Sequence, residues 1–350
     1  AGNWSGLFQR GDRVRLWFIN AASNSFYDVR IPGLKLTVIQ ADGQDVEPVT
    51  VDEFRFGPGE TYDVMFEPQD DAYTIFAQSM ERSGYARGTL SVRQGLTAPV
   101  PEPDSPEWLT MKDMMGAMGG GAMGHDMMKM DSMGQTKMDH SQMSGGMAMD
   151  HSMHGMQQGS ENPLAKPSST IRHARTEYGA SVDQRVDTPS TNLDDPGIGL
   201  RNLSQRGLRP QGHRVLTLAD LKSIDGVLDD HRAPATELEL HLTGNMERYS
   251  WSFDGLEFGK STPVSLRHNE RVRIILQNDT MMTHPMHLHG MWSELETDQG
   301  ELRVRRHTIP VQPAQRISFL TTPHDVGRWA WHCHLLFHMD AGMFREVVVS

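Results

Sequence analysis

A chain of 350 residues is long enough for two domains joined by a sizeable linker. Its formal net charge of -12 repels nucleic acid and anionic membrane surfaces and mildly favours cations such as metal ions. With one cysteine, Cys333, no intrachain disulfide can form, so the thiol needs another explanation.

The opening AGNWSGLFQRGDRVRLWFIN reads like the middle of a β-domain and carries no signal peptide, so the chain is expected to be the C-terminal portion of a longer protein. Residues 1–97 show short runs rich in β-branched and aromatic residues, at 13–20, 36–40, 61–67, 73–77 and 89–92, separated by Gly and Pro. No helical period intervenes, which predicts an antiparallel sandwich or barrel. From 98 to 214 the pattern dissolves into Pro, Gly, Ser, Asp and Met. Such a composition buries too little apolar area to offset the entropy of ordering, and predicts a largely disordered linker with ordered stretches after Asn192. Fifteen of the 24 methionines fall within 111–156 of this stretch. A second β-pattern fills 215–350, with strands expected at 237–242, 249–253, 272–277, 316–321, 328–331 and 344–349. No apolar run is long enough to span a bilayer.

The two β-patterns resemble each other. Arg13-Val14-Arg15 followed by apolar residues to Asn20 matches Arg271-Val272-Arg273 followed by apolar residues to Asn278, which suggests duplication of one fold. Where the second copy has HPMHLHG, the first has FYDVRIPG; where the second has WHCHLLFH, the first has FAQSMERS. Residues 1–100 contain neither His nor Cys, so the first copy cannot build the metal site the second suggests.

That site is read from two clusters, His284 to Gly290 and His332-Cys333-His334 continuing to His338 and Met343. Two imidazoles, one thiolate and a weak axial thioether form the ligand set of a blue, type 1 copper, and His284, Cys333, His338 and Met343 supply it. The short spacing from Cys333 to Met343 suits a loop folding three ligands around one ion. A lone cysteine is ordinarily an inert buried hydrophobe, but histidines on both sides argue against that here. Residues i and i+2 of a strand share a face, so His287 with His289, and His332 with His334, make two imidazole pairs, while Cys333 points the other way. Cys333, His332 and His334 thereby form a covalent route between the type 1 site and a second copper centre. His173, His213, His231, His241, His268, His307 and His324 lack such context and read as structural or solvated.

These motifs resemble the C-terminal signature of multicopper oxidases. NWSGLFQRGDRVRLWFINAAS, IPGLKLTVIQADGQDVEPVTVDEFRFGPGETYDV, TNLDDPGIGLR and HLTGNMERYSWSFDG extend the likeness, over nearly the whole chain, to the bacterial copper-resistance branch of that family. The resemblance implies an all-β protein of two cupredoxin-like Greek-key domains, 1–97 without copper ligands and 215–350 with them. It implies that His287 is a type 2 ligand and that His289, His332 and His334 are ligands of the binuclear type 3 centre. A complete cluster in the family takes eight histidines, four of them from an N-terminal cupredoxin domain. Here the HxH motif occurs only at His287/His289 and His332/His334, which is half a cluster. The family's periplasmic location agrees with metal chemistry built on one cysteine and many methionines.

The insert adds MDHSQM and MDHSMHGM, an imperfect repeat of thioether, imidazole and carboxylate. Thioethers bind Cu(I) without losing a proton and cannot form disulfides, which makes Met138, His140, Met143, Met149, His151, Met153, His154 and Met156 candidate copper ligands. The expected function is oxidation of Cu(I) or phenol-like reductants at the type 1 site, with electrons passed to a cluster that reduces dioxygen to water. The alternatives are copper sequestration and a blue-copper electron-transfer module.

Overall fold

The computed structural model describes residues 3–110, 113–114 and 164–350; the candidate ligands between Met138 and Met156 lie outside them. No helix among the described residues is long and apolar enough to cross a membrane.

The first sandwich has nine strands: β1 (Trp4–Leu7), β2 (Val14–Ile19), β3 (Tyr27–Arg30), β4 (Leu36–Ala41), β5 (Gln44–Val51), β6 (Glu53–Phe56), β7 (Thr61–Phe66), β8 (Ala72–Ser79) and β9 (Tyr85–Ser91). They form one sheet in the order β1-β9-β8-β3-β6 and a facing sheet β2-β7-β4-β5. In β2, Val14, Leu16 and Phe18 turn inward and Arg15, Trp17 and Ile19 outward, the period-2 pattern of a half-buried strand. Phe54, at the centre, takes edge-on contacts from Phe18, Phe56 and Tyr62.

The second sandwich repeats this frame with β10 (Thr236–Asn245), β11 (Ser250–Phe253), β12 (Val264–Leu266), β13 (Val272–Asn278), β14 (His284–Leu288), β15 (Ser293–Glu296), β16 (Leu302–Arg306), β17 (Thr308–Val311), β18 (Arg316–Thr321), β19 (Gly327–Cys333), α1 (Leu336–Asp340) and β20 (Phe344–Val349). Its sheet β12-β20-β19-β14-β17 matches β1-β9-β8-β3-β6 strand for strand, and β13-β18-β15-β16 matches β2-β7-β4-β5, with β10 and β11 added at one edge. The duplication extends to single hydrogen bonds. Asn20 Nδ2 donates to the carbonyls of Ser25 and Phe56, and Asn278 Nδ2 to those of Met282 and Val311, closing the same turn in each copy. The protein is thus all-β, built from two cupredoxin-like sandwiches.

The two sandwiches share one hydrophobic core. At their junction the buried Arg306 of β16 reaches Asp42 and Glu60, each at 2.7 Å, with its guanidinium over the Tyr62 ring. Burial pushes the Glu60 carboxyl up to about 7, against the attraction of Arg306.

The stretch expected to be disordered linker differs in its described part. Residues 164–214 have little regular structure, and Leu193, Leu200 and Leu203 are buried in the stretch expected to be ordered, but Val182 and Val186, before Asn192, are buried as well. This segment covers the outer face of β13, every residue of which is buried: Arg273 donates to the Leu164 carbonyl and Gln277 to that of Val186. The apolar residues are spaced without a helical or strand period, so composition dominated the reading and single anchors escaped it.

Candidate metal centre

β14 and β19 run side by side, with Met286 opposite Cys333 and His287 opposite His332. Successive side chains of a strand face opposite ways, so the thiol of Cys333 enters the core while the imidazoles of His287 and His332 turn to the other face. Past the strand end, α1 carries His338, and Met343 precedes β20. Two backbone bonds close this loop: Met343 N donates to the His338 carbonyl and Cys333 N to that of Met343, at 2.9 and 3.1 Å.

The loop and the start of β14 bring three donor atoms together. Cys333 Sγ lies 3.6 Å from His284 Nδ1 and 3.8 Å from His338 Nδ1, and the two nitrogens are 3.1 Å apart. All three residues, and Met343, are fully buried. His284 Nε2 sits 2.7 Å from Thr280 Oγ1, which fixes the ring with Nδ1 toward the thiol. Burial holds the His284 imidazole well below its ordinary pKa, lowers that of His338 to about 4, and pushes the Cys333 thiol up. A soft ion entering here meets two neutral imidazole lone pairs and displaces one thiol proton. The donor set fits copper.

His287, His289, His332 and His334 occupy the opposite face. The ring centroids of His287 and His289 are 4.4 Å apart and those of His332 and His334 are 5.6 Å apart. His287 Nδ1 donates to the His307 carbonyl and His332 Nδ1 to that of Cys333, so each neutral ring keeps its Nε2 lone pair free of the backbone. Nε2 of His332 lies 3.0 Å from Nε2 of His289. Burial lowers the His287 pKa to about 4, and lowers those of His289 and His332, helped by neighbouring imidazoles. His334 Nδ1 is buried without a hydrogen-bond partner, an orphan that a metal would satisfy. Whereas His284, Cys333 and His338 close on one point, these four spread over a patch. His287 and His289 open, with Trp292 and His307, into a cleft of about 620 Å³. From the first sandwich, Gly59 packs on the His334 ring at φ 83°, where a Cβ would collide with it.

Two features were missed in the sequence. Trp251 of β11 stacks on His338 with ring centroids 4.0 Å apart and 22° between planes, and Tyr249, 45% exposed, stands edge-on to both rings. The only hint was an aromatic pair two residues apart. In addition, His173 and His241, read as structural or solvated, meet Glu177 and Asp279 in a buried group. The candidate ligands Met138, His140, Met143, Met149, His151, Met153, His154 and Met156 lie outside the described residues.

A family model described as multicopper oxidase matches residues 1–95, and a second with the same description matches 231–350. Copper resistance protein A of Escherichia coli is 50% identical over 99% of the chain, and the namesake protein of Pseudomonas syringae pv. tomato is also 50% identical over 99%. The chain spans 57% and 58% of their respective lengths. Among solved structures, Fet3p, described as a multicopper oxidase that functions in iron import, superposes over 99% of this chain and 57% of its own length with a TM-score of 0.57; at 12% identity this likeness speaks for the fold.

Proposed function

Since the chain belongs to the multicopper oxidase family, in its copper-resistance branch, we propose that it forms the electron-accepting part of a copper-dependent oxidase and supplies half the ligands of the oxygen-reducing cluster. The observation that carries this reading is the two-faced strand end: Cys333 turns its thiol to His284 and His338, while His332 and His334, one residue away on either side, turn to His287 and His289. Copper, when bound, supplies one-electron redox chemistry and activation of dioxygen. The chain's own residues supply the path and the orientation.

In this reading His284, Cys333, His338 and Met343 hold the type 1 ion, His287 is a type 2 ligand, and His289, His332 and His334 are type 3 ligands. Thr280 and the backbone bonds of Met343 fix the first group. The carbonyls of His307 and Cys333 orient the second. Tyr249, exposed and edge-on to the buried Trp251 and His338, offers an aromatic contact at the surface for phenol-like reductants. The methionine-rich insert favours Cu(I) as donor, and a periplasmic setting, where dioxygen is available, suits both. The chain spans under three-fifths of the length of the relatives cited, and the remaining four histidines are assigned to an N-terminal cupredoxin domain of the same protein. The density of methionines in 111–156 also favours a second reading, in which copper sequestration is the physiological role.

Dioxygen uptake with Cu(I) or a phenol as donor tests the proposal. The copper-loaded 350-residue chain is expected to accept electrons, seen as bleaching of its blue band, while consuming little dioxygen. Robust four-electron reduction of dioxygen by this chain alone would contradict the division of the cluster. Copper bound well beyond the type 1 and cluster complement would support the sequestration role.

A further inference from the structure

A second buried group lies apart from the copper ligands, where the segment after residue 164 crosses β10 and the end of β13. The rings of His173 and His241 meet edge to face, 4.7 Å between centroids. His173 Nδ1 is 2.7 Å from Glu177 Oε2 and 3.5 Å from Asp279 Oδ2; His241 Nδ1 is 3.2 Å from Glu177 Oε2 and 2.8 Å from Asp279 Oδ2. Glu177, His241 and Asp279 are at most 1% exposed in their side chains, and His173 is 8% exposed.

What distinguishes this group from an ordinary buried ion pair is the disposition of the four outward atoms. Three of the four side chains are held from behind by their other polar atom. His241 Nε2 lies 3.0 Å from Glu239, which is itself paired with Arg316. His173 Nε2 is buried and makes no hydrogen bond, with the exposed Asp187 at 3.4 Å. Glu177 Oε1 accepts from Ala174 N at 2.7 Å, and Asp279 Oδ1 accepts from Gln277 Nε2 at 2.8 Å and Val186 N at 3.2 Å. Two imidazoles and two carboxylates thus bring one donor atom each to a common centre, with an outer carboxylate behind His241, the arrangement that orients a histidine on a metal. A tetrahedral site with bonds of about 2.0–2.1 Å has ligand edges of roughly 3.3 Å; the four nitrogen-to-oxygen edges here span 2.7–3.5 Å, and all four donor atoms lie within 4.8 Å of one another.

We propose that His173, Glu177, His241 and Asp279 form a closed, four-coordinate site for a divalent ion of the zinc type, distinct from the copper centres. Its role is structural: it fastens the segment 173–186 to the second sandwich. Four protein ligands leave no open position, which fits a structural rather than a catalytic ion. Burial disfavours charge on His241, yet bonds to Asp279, Glu177 and Glu239 push it up to about 11.

The test is zinc retention by the copper-loaded chain after exhaustive desalting, in the parent and in His173→Gln and Glu177→Gln. The parent is expected to keep one zinc per chain that both variants lose, with the blue band unchanged in all three. Equal zinc in parent and variants, or none in the parent, overturns the proposal and leaves the group as a protonated ion cluster. Should a variant fail to fold, zinc-edge absorption of the parent decides: a nitrogen and oxygen shell with two imidazoles supports the site, and any sulfur or a single imidazole overturns it.

Discussion

In the first sandwich the strand pair β3 and β8 buries Asp28 against Arg55 and Arg82, both at 2.6 Å, and places Arg30 beside Glu53. In the second, the matching pair β14 and β19 buries His284 and Cys333, with His287 and His332 on the other face. Tyr27 faces Phe56 as His284 faces Val311, and Val29 faces Ala77 as Met286 faces Cys333. One ladder therefore supports two kinds of buried polarity. The ions of the first sandwich are spent on each other: burial would raise the Glu53 carboxyl, but His213 and Arg209 hold it below the ordinary range. His284, Cys333 and His338 of the second instead turn their donor atoms to one another, which is the condition for accepting a metal.

The contrast breaks most visibly on removal of the partner that the 164–214 segment supplies to an ion of the first sandwich. Arg209 bonds Glu53 and Asp104 and is 7% exposed in its side chain. Arg209→Ala leaves both carboxylates buried without it and is expected to cost about 3–5 kcal/mol in urea unfolding. The blue band of the folded fraction should not change; a cost below about 1 kcal/mol would mean that the ions are solvated after all.

Glu60, at the junction, sharpens the comparison through pH. Its folded pKa of about 7 lies above its ordinary value, so the native state holds a proton that the unfolded chain has lost between those values. This contribution is complete below the unfolded pKa and is lost as pH rises through the folded one. The stability of the parent relative to Glu60→Gln should therefore fall from pH 5 to pH 8, by up to about 3 kcal/mol. A pH-independent difference would place the proton elsewhere.

Thr280→Val removes the oxygen beside His284 Nε2 and nearly preserves side-chain size. Type 1 copper affinity is expected to drop by roughly 10–100-fold, measured by competition with a chelator, while the first sandwich keeps its unfolding midpoint. Unchanged affinity would show that packing alone orients the ring. The smallest effect belongs to Arg328, which shares β19 with Cys333 but is 70% exposed in its pair with Glu346. Arg328→Ala should change stability by at most about 1 kcal/mol, and a larger loss would show that the edge of β19 couples to the site.

Much of this was legible in the sequence because soft-metal chemistry needs rare residues at short range. One cysteine between two histidines, with His338 and Met343 following, falls on one strand end and one loop, and the structure places Cys333, His284 and His338 together. The duplicated strands could be read because an Arg-Val-Arg opening and a closing asparagine, Asn20 and Asn278, recur at the same spacing in both copies. The short strands β3, β6 and β17 could not, since four residues carry little period. Nor could the group of His173, Glu177, His241 and Asp279, whose members come from three separate segments and touch only through the fold. Trp251 was hidden for the same reason: its partner His338 is 87 residues away in sequence.

The division of labour between the two sandwiches is tested most directly by titrating the chain with copper while recording the visible spectrum, in the parent and in Cys333→Ser. The parent should develop an intense blue band that saturates at one copper, and Cys333→Ser, still folded, should show none. A blue band that survives in Cys333→Ser, or its absence from a folded and copper-loaded parent, would contradict the assignment of the type 1 site.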